Sequence, residues 1–207
     1  MTRLILLCIL LFPAHLAAQE TVPVKYVIDG DTIILNNGKK VRYIGIDAPE
    51  IAHGNSPAEH FGDAARTFNS QLTGSAGVYL EYDREPRDRY GRHLAYVFLS
   101  DDTFVNQRLL FSGLAVFLYK PPNLKYAEIL LQAQRTAMSG KKGVWKSWTE
   151  NPRSYLGNRK SKRFHLPGCP YGKNTAQQNR VSFKNRWDAY WKGYAPCKQC
   201  MKYRFTF

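Results

Sequence analysis

Short apolar segments near the start of the chain restrict the fold more than any other feature. Apolar residues recur at every second position over residues 24–28, and a second apolar run covers residues 33–35. Asn37-Gly38 separates this run from a third one over residues 41–46. Alternation with a period of two indicates β-strands, and Asn-Gly favours a two-residue hairpin. We therefore expect an antiparallel sheet here.

Helical patterns follow these strands. Ser56-Pro57-Ala58-Glu59 has the form of a capping box, and apolar residues recur at helical spacing behind it. Further helices are expected over residues 105–112 and 126–139, and further strands over 78–82 and 94–99. Five strands and three helices in this order predict an α+β domain.

Three polar segments lie at the ends of these elements. They are Asp29-Gly30-Asp31-Thr32, then residues 42–50, which include Arg42, Asp47 and Glu50, and then Asp88-Arg89-Tyr90-Gly91-Arg92. Cleavage of a phosphodiester needs carboxylates that hold a hard cation, a carboxylate that positions water, and guanidinium groups that neutralise charge at phosphorus. The three segments together predict such a site.

The order and context of these segments resemble the thermonuclease (staphylococcal nuclease-like) family across residues 24–145. The resemblance implies a five-stranded OB-fold barrel with three helices. It also implies Ca²⁺-dependent hydrolysis of DNA and RNA with low sequence specificity. Water would attack phosphorus, the 5′ oxygen would leave, and the products would end in 3′-phosphate.

The resemblance also implies roles for particular residues. Asp31, Asp47 and the backbone carbonyl of Ala48 match the Ca²⁺ ligands, which suits a cation that prefers oxygen donors. Glu50 matches the carboxylate that positions or deprotonates water. The phosphate-gripping arginines correspond to Arg42 and Arg92, and the residues lining the nucleotide pocket correspond to Arg89, Tyr90, Phe117 and Tyr119.

Several residues of these segments also have a purely structural explanation. Asp29 and Asp31 could hydrogen-bond their own backbone in a turn. Arg42 could be solvated on its strand, and Arg92 could be a surface residue beyond a turn. Tyr90, like Tyr119, could be half-buried at a groove without contacting substrate.

The first 18 residues have the pattern of a cleaved secretory signal. Arg3 precedes an apolar run over residues 4–12 that contains Cys8, and small residues end at Ala18. We expect cleavage after Ala18 and a secreted or periplasmic mature protein without a membrane segment. A retained membrane anchor is the alternative.

Positive charge is concentrated in the last quarter of the chain. The net charge is +14, yet residues 19–152 contain 16 Lys and Arg against 15 Asp and Glu. Residues 153–207 contain 13 Lys and Arg against Asp188 alone. Such a block attracts polyanions, with an affinity that falls as salt rises. We expect a nucleic-acid partner, and no feature implies a protein partner.

Four soft ligands lie in the same basic segment. His165 and Cys169 precede Cys197-Lys198-Gln199-Cys200, a spacing that suits a closed structural Zn²⁺ site. A Cys197–Cys200 disulfide with Cys169 free is the alternative. We expect a signal peptide over 1–18, a nuclease-like domain over 19–148, a linker over 149–153 and a zinc-binding module over 154–207.

The segment around these ligands resembles the zinc-binding module of the Ada DNA repair protein, including Tyr155-Leu156-Gly157-Asn158. His165 stands where that module has its methyl-accepting cysteine, which argues against alkyl transfer. Cationic residues alternate with aromatic ones and suit phosphate contacts, although they could also form a solvated face. The cations are Arg159, Lys160, Lys162, Arg163, Arg180, Lys184 and Arg186, and the aromatic residues are Phe164, Phe183 and Trp187.

These patterns favour an exported Ca²⁺-dependent nuclease that a basic module tethers to its substrate. A nucleic-acid-binding protein of the same fold without catalysis is the alternative, as is a module that binds an anionic cell surface.

Overall fold

A computed structural model describes residues 20–74, 77–150 and 154–201. The expected signal segment lies outside these ranges. The first part of the chain forms a five-stranded mixed sheet in the order β1-β2-β3-β6-β5. Its strands are β1 (Val24–Asp29), β2 (Thr32–Leu35), β3 (Lys40–Tyr43), β5 (Tyr79–Glu81) and β6 (His93–Phe98).

The predicted hairpin at Asn37-Gly38 is confirmed. Strand β2 pairs antiparallel with β3, and Gly38 has a φ of +81°, a conformation that glycine adopts without steric cost. Strand β3 then pairs in parallel with β6, so that Arg42 lies opposite Leu94. The sheet is therefore mixed.

The sheet does not close into the expected barrel. Among the described residues, the edge regions meet through a single bridge between Val22 and Val78, which precede β1 and β5. Two reciprocal backbone hydrogen bonds of 2.8 and 2.9 Å form this bridge. The observed architecture is thus an α+β fold with an open mixed sheet.

Three helices belong to this part of the chain, and the first begins later than the sequence pattern predicts. Helix α1 starts at Gly62 rather than directly behind Ser56. Ser56 instead exchanges backbone hydrogen bonds with His53, and the Glu59 carboxylate accepts the Glu50 N–H at 2.9 Å. The capping-box prediction is wrong because a tight turn uses these polar groups. The three helices are α1 (Gly62–Thr73), α2 (Val105–Phe111) and α3 (Ala127–Ser139).

A small second sheet lies between two hydrophobic cores. It pairs β4 (Ile46–Asp47) antiparallel with β7 (Val116–Phe117), so that Ile46 faces Phe117 and Asp47 faces Val116. Phe117 packs in the first core, with the residues of the five-stranded sheet, whereas Val116 packs in a second core. Both cores therefore position Asp47.

Residues 154–201, the described portion of the basic part of the chain, form their own four-stranded sheet in the order β10-β8-β9-β11. Two short helices accompany it. The strands are β8 (Tyr155–Asn158), β9 (Arg163–His165), β10 (Arg180–Phe183) and β11 (Ala195–Pro196), and the helices are α4 (Pro170–Lys173) and α5 (Arg186–Trp191).

The second core is shared between this basic part and the end of α3. Trp145, which is fully buried, lies between the rings of Trp148, Trp187 and Tyr190, with centroids 5.1–5.9 Å away. The residues contributed from before position 150 are Val116, Ala137, Met138, Val144 and Trp145, and those from beyond it are Tyr155, Phe164, Phe183, Ala189, Tyr190 and Tyr194. The basic part is thus packed against the nuclease-like part.

The predicted linker lies only partly within the described residues. Its residue Glu150 accepts backbone hydrogen bonds from Arg186 and Trp187 at 3.1 and 3.2 Å, so this end of the linker is anchored. The division into two domains stays a prediction. No helix within residues 20–74, 77–150 or 154–201 has both the length and the apolarity that a membrane crossing requires.

Candidate active site

Asp31 lies in the turn between β1 and β2, and its side chain points away from that turn. The turn itself is stabilised by Asp29, whose Oδ1 accepts the Asp31 N–H at 2.9 Å. The Asp31 carboxylate instead accepts the Ala48 N–H at 2.7 Å and the Thr32 hydroxyl at 3.1 Å. Asp29 therefore stabilises the turn through a backbone hydrogen bond, as the structural alternative proposed. The buried carboxylate of Asp31 instead connects this turn to the segment that contains Ala48.

Arg42 lies between the two predicted metal-binding carboxylates. One terminal nitrogen, Nη2, contacts Asp31 Oδ2 at 3.0 Å and Asp47 Oδ1 at 3.2 Å. The other, Nη1, donates to the backbone oxygens of Tyr43 and Ile46 at 2.8 and 2.9 Å. Arg42 is thus held within the site and is not a solvated strand residue.

Burial controls the ionisation of this cluster. It raises the pKa of Asp31 to about 8, against the opposing effect of the Arg42 charge. Burial alone would lower the pKa of Arg42, but the charges of Asp31 and Asp47 raise it above the usual arginine value. The guanidinium group therefore stays charged, and it is the counter-ion of both carboxylates.

The donor set fits a hard divalent cation. Asp31 and Asp47 are 5% and 1% exposed, and oxygens of both contact the same cationic nitrogen, so they converge on one point where positive charge is stable. Oxygen donors of this kind are the ligands that Ca²⁺ and Mg²⁺ prefer. Ala48 follows Asp47 in the chain, and its N–H donates a hydrogen bond to Asp31. The role of its carbonyl oxygen as a metal ligand stays a prediction.

Glu50 lies at the exposed edge of the same site. Its negative charge adds to those of Asp31 and Asp47, which raise the pKa of Arg42 against the effect of burial. Its backbone N–H is fixed by Glu59 at 2.9 Å. An exposed carboxylate beside a buried cationic centre can position a water molecule or accept its proton.

Arg92 is held in the loop before β6 by Asp88. Its Nε donates to Asp88 Oδ2 at 2.7 Å, and its backbone N–H donates to Oδ1 at 3.0 Å. These hydrogen bonds lower the pKa of Asp88, although burial opposes them. Arg92 immediately precedes β6, whose residue Leu94 lies opposite Arg42. Arg92 is paired with Asp88, whereas Arg42 is paired with Asp31 and Asp47.

The predicted nucleotide-pocket residues fall into two groups. Tyr90 is 69% exposed, receives a 2.6 Å hydrogen bond from Arg89 and lies under the guanidinium groups of Arg89 and Arg92. Tyr119 is partly buried against the first core. Phe117 is only 4% exposed and packs inside that core. Its predicted stacking on a nucleotide is untested, and the burial of its ring argues against it.

Sequence reasoning missed one cation in this site. Lys198 Nζ lies 3.3 Å from Asp47 Oδ1, although the two residues are 151 positions apart. The only signal was that Lys198 lies between Cys197 and Cys200 in the basic segment. Asp88 was also missed as the residue that orients Arg92.

The four predicted soft ligands come together. The ligand atoms of His165, Cys169, Cys197 and Cys200 all lie within 4.8 Å of one another, and Cys169 Sγ is 3.5 Å from His165 Nδ1. Zn–S bonds of about 2.3 Å would place tetrahedral ligands about 3.8 Å apart. The three cysteines are free thiols in the structure, so the alternative disulfide is not formed. The cluster is compatible with a metal site.

Protonation within the cluster is uneven. Burial raises the pKa of Cys200 to about 12. Burial also acts to raise the pKa of Cys169, but backbone N–H groups of Gly172 and Tyr171 lower it below the usual thiol value. Burial and the charge of Arg163 lower the pKa of His165 and favour the neutral imidazole that binds metals.

Two buried carboxylates converge on Arg42, and a second arginine and an exposed carboxylate follow in the segments next to them. This set of side chains is suited to the class of enzymes that hydrolyse a phosphodiester bond. The comparison with known proteins narrows this class. Residues 40–147 match the family described as Staphylococcal nuclease homologue, and the chain belongs to that family.

Related proteins extend the match beyond the central segment. The thermonuclease of Staphylococcus intermedius is 45% identical over 129 residues, which cover 61% of this chain and 76% of the relative. The thermonuclease of Staphylococcus hyicus is 43% identical over 132 residues, or 62% and 78% of the two chains. Endonuclease YncB of Bacillus subtilis is 41% identical over 124 residues, or 57% and 58%. The chain is a nuclease, a hydrolase of phosphodiester bonds.

Proposed function

We propose that this protein is an exported, Ca²⁺-dependent nuclease that cleaves DNA and RNA with low sequence specificity and leaves 3′-phosphate products. The main support is the convergence of Asp31 and Asp47 on a single cationic nitrogen of Arg42. Export rests on the signal pattern of residues 1–18.

The side chains of the site have distinct tasks in this reaction. When bound, Ca²⁺ would polarise a phosphate oxygen and lower the barrier to attack at phosphorus. Asp31, Asp47 and the Ala48 carbonyl would hold it. Glu50 would orient the attacking water and accept its proton, and that proton would finally reach the departing 5′ oxygen.

The two arginines would neutralise charge on the phosphate. A planar guanidinium group binds two phosphate oxygens at once and stays protonated at any working pH. Arg42 already lies at the carboxylate pair, and Arg92 is oriented by Asp88 while 30% of its side chain remains exposed. Charge that develops on the pentacoordinate phosphorus would then be matched by two fixed cations.

We further propose that residues 154–207 hold structural Zn²⁺ and bind nucleic acid. The cluster of one histidine and three cysteines supports the metal site, and the 13 Lys and Arg against one Asp in residues 153–207 support nucleic-acid binding. Phosphate contacts by such a surface would raise the local substrate concentration near the catalytic site.

Plasmid cleavage tests the catalytic proposal. Purified mature protein would be assayed with Ca²⁺, with Mg²⁺ and with a chelator, beside Arg92→Ala and the exposed control Arg108→Ala prepared identically. We expect Ca²⁺-dependent cleavage that falls about 100-fold or more in Arg92→Ala. Folded wild-type protein that cleaves nothing under any ion would instead indicate a non-catalytic nucleic-acid-binding protein.

Charge reversal tests the tethering proposal better than deletion, because removal of the basic part would uncover Trp145 and the rest of the second core. Lys160→Glu with Lys184→Glu changes two exposed residues of the basic part, and Lys25→Glu with Lys146→Glu makes the same charge change elsewhere. At moderate salt the first pair should slow cleavage of long DNA, while cleavage of short oligonucleotides stays unchanged. Equal slowing by the control pair would refute a specific role of the basic part.

A further inference from the structure

Lys198 brings a cation from the basic part into the nuclease site. Its Nζ contacts Asp47 Oδ1 at 3.3 Å, the same oxygen that Arg42 contacts at 3.2 Å. Asp47 is buried, whereas the Lys198 side chain is 51% exposed, so the ammonium group lies at the open rim of the site. We propose that Lys198 is an additional phosphate-binding residue of the nuclease, an inference that rests on the proposed function.

The Cys/His cluster determines where Lys198 can lie. Cys197 and Cys200 flank it, and both belong to the fourfold ligand group. Cys197 donates its N–H to Phe164 O at 2.9 Å, next to the pairing of β11 with β9, and its carbonyl accepts the Met201 N–H at 3.0 Å. The backbone on both sides of Lys198 is therefore fixed, and the side chain projects from the tip of the turn.

The packing between the two parts of the chain aims this turn at Asp47. Gln134 accepts the Phe117 N–H at 2.6 Å and donates to Tyr190 O at 2.7 Å. Phe117 pairs with Ile46, the neighbour of Asp47. A Cβ on Gly193 would lie 3.1 Å from the Leu131 side chain and 3.4 Å from the Phe117 ring, so this glycine packs closely against both. The strand that holds Asp47 and the segment that leads to Lys198 are thus parts of one packed unit.

The positive charge of Lys198 explains why a phosphate group would bind to it. Lys198 and Arg42 both contact Oδ1 of Asp47, so two cations share one buried carboxylate oxygen. In a loaded site Lys198 would compete with the divalent cation for Asp47 Oδ1, and the two positive charges would repel each other. Its long flexible stem would then leave the ammonium group beside the position where the proposed function places a substrate phosphate.

This role has two consequences of opposite sign. Removing the Lys198 charge should tighten Ca²⁺ binding to the ligand-free protein, because a competitor for Asp47 is lost. The same change should weaken binding of a phosphate ligand to the Ca²⁺-loaded protein, because a cationic contact is lost. Simple damage to the site would weaken both.

Calorimetric titration at constant ionic strength tests both consequences. Wild type, Lys198→Gln and Lys198→Arg would be titrated with Ca²⁺ alone, and then, at saturating Ca²⁺, with a deoxynucleoside 3′,5′-bisphosphate. Lys173→Gln is the matched control, since Lys173 is exposed on the same part of the chain. Zinc content and melting temperature would be measured for each protein.

We expect Lys198→Gln to shift the two dissociation constants about two- to fivefold in opposite directions, the size of a partly exposed ion pair. Lys198→Arg should restore most bisphosphate affinity, and Lys173→Gln should match wild type. Unchanged constants in Lys198→Gln would overturn the inference, as would a loss of both affinities. Folded wild type that binds neither Ca²⁺ nor the bisphosphate would overturn the proposed function as well.

Discussion

Gln134 and Tyr190 are 56 residues apart in sequence and are joined inside the protein by a 2.7 Å hydrogen bond from the glutamine amide to the tyrosine carbonyl. The glutamine oxygen simultaneously accepts the Phe117 N–H at 2.6 Å, and the side chain is fully buried. One side chain thus connects the sheet that holds Asp47 with the basic part.

Gln134→Leu should destabilise the protein strongly. Leucine has a similar volume but leaves the Phe117 N–H and the Tyr190 carbonyl buried without this partner, which costs on the order of 2–5 kcal/mol. Guanidinium denaturation followed by tryptophan fluorescence would measure it, because three of the four tryptophans, Trp145, Trp148 and Trp187, pack against one another at this junction. The exposed Gln132→Leu is the control. Equal stability of the two variants would contradict the bridging role.

Arg42→Lys should abolish most activity while it retains the charge. The guanidinium group makes four contacts through two nitrogens, and a single ammonium group cannot reproduce this planar geometry. We expect a decrease in kcat of about 100-fold or more. Cleavage of a fluorescent oligonucleotide, with Arg108→Lys as the surface control, would measure it. An active Arg42→Lys enzyme would show that geometry at this position is unimportant.

Ca²⁺ affinity should rise with pH. Burial raises the pKa of Asp31 to about 8, and a proton on this carboxylate opposes metal binding. Since the folded chain holds this proton more tightly than the unfolded chain, the metal-free protein should lose stability as pH rises from the usual aspartate value towards 8.

Bound Ca²⁺ would offset that loss, so the Ca²⁺-induced rise in melting temperature should grow from about pH 6 to about pH 9. Thermal scans with and without Ca²⁺ would test this, and Asp31→Asn should show a small shift with no such trend. A wild-type shift that falls with pH would contradict the assignment of Asp31 as a ligand.

Loss of one ligand of the Cys/His cluster should reduce both the zinc content and the thermal stability of the protein. Cys169→Ser should lower zinc content and the melting temperature, because structural Zn²⁺ contributes on the order of 10 kcal/mol in small zinc modules. His165→Cys keeps four ligands and should retain zinc. Metal analysis with thermal unfolding would distinguish the two variants, and equal zinc content in Cys169→Ser would contradict the proposed site.

The local patterns of the sequence determined many of the elements. Period-two alternation and Asn37-Gly38 determined the first strands and their hairpin, and helical spacing located α2 and α3 to within a residue or two. Local pattern failed at Ser56, where a turn satisfied the same polar groups that a helix cap would have used.

The sequence by itself also determined which residue types could perform the chemistry, since Asp31, Arg42, Asp47, Glu50 and Arg92 occur in a family order. Only the tertiary structure decided how they combine. It buried Asp47 between two cores, turned Phe117 inward and placed Lys198 on a carboxylate 151 positions away. Such contacts depend on how whole helices and strands pack. Packing brings together side chains that are distant in sequence, so a local sequence pattern cannot predict it.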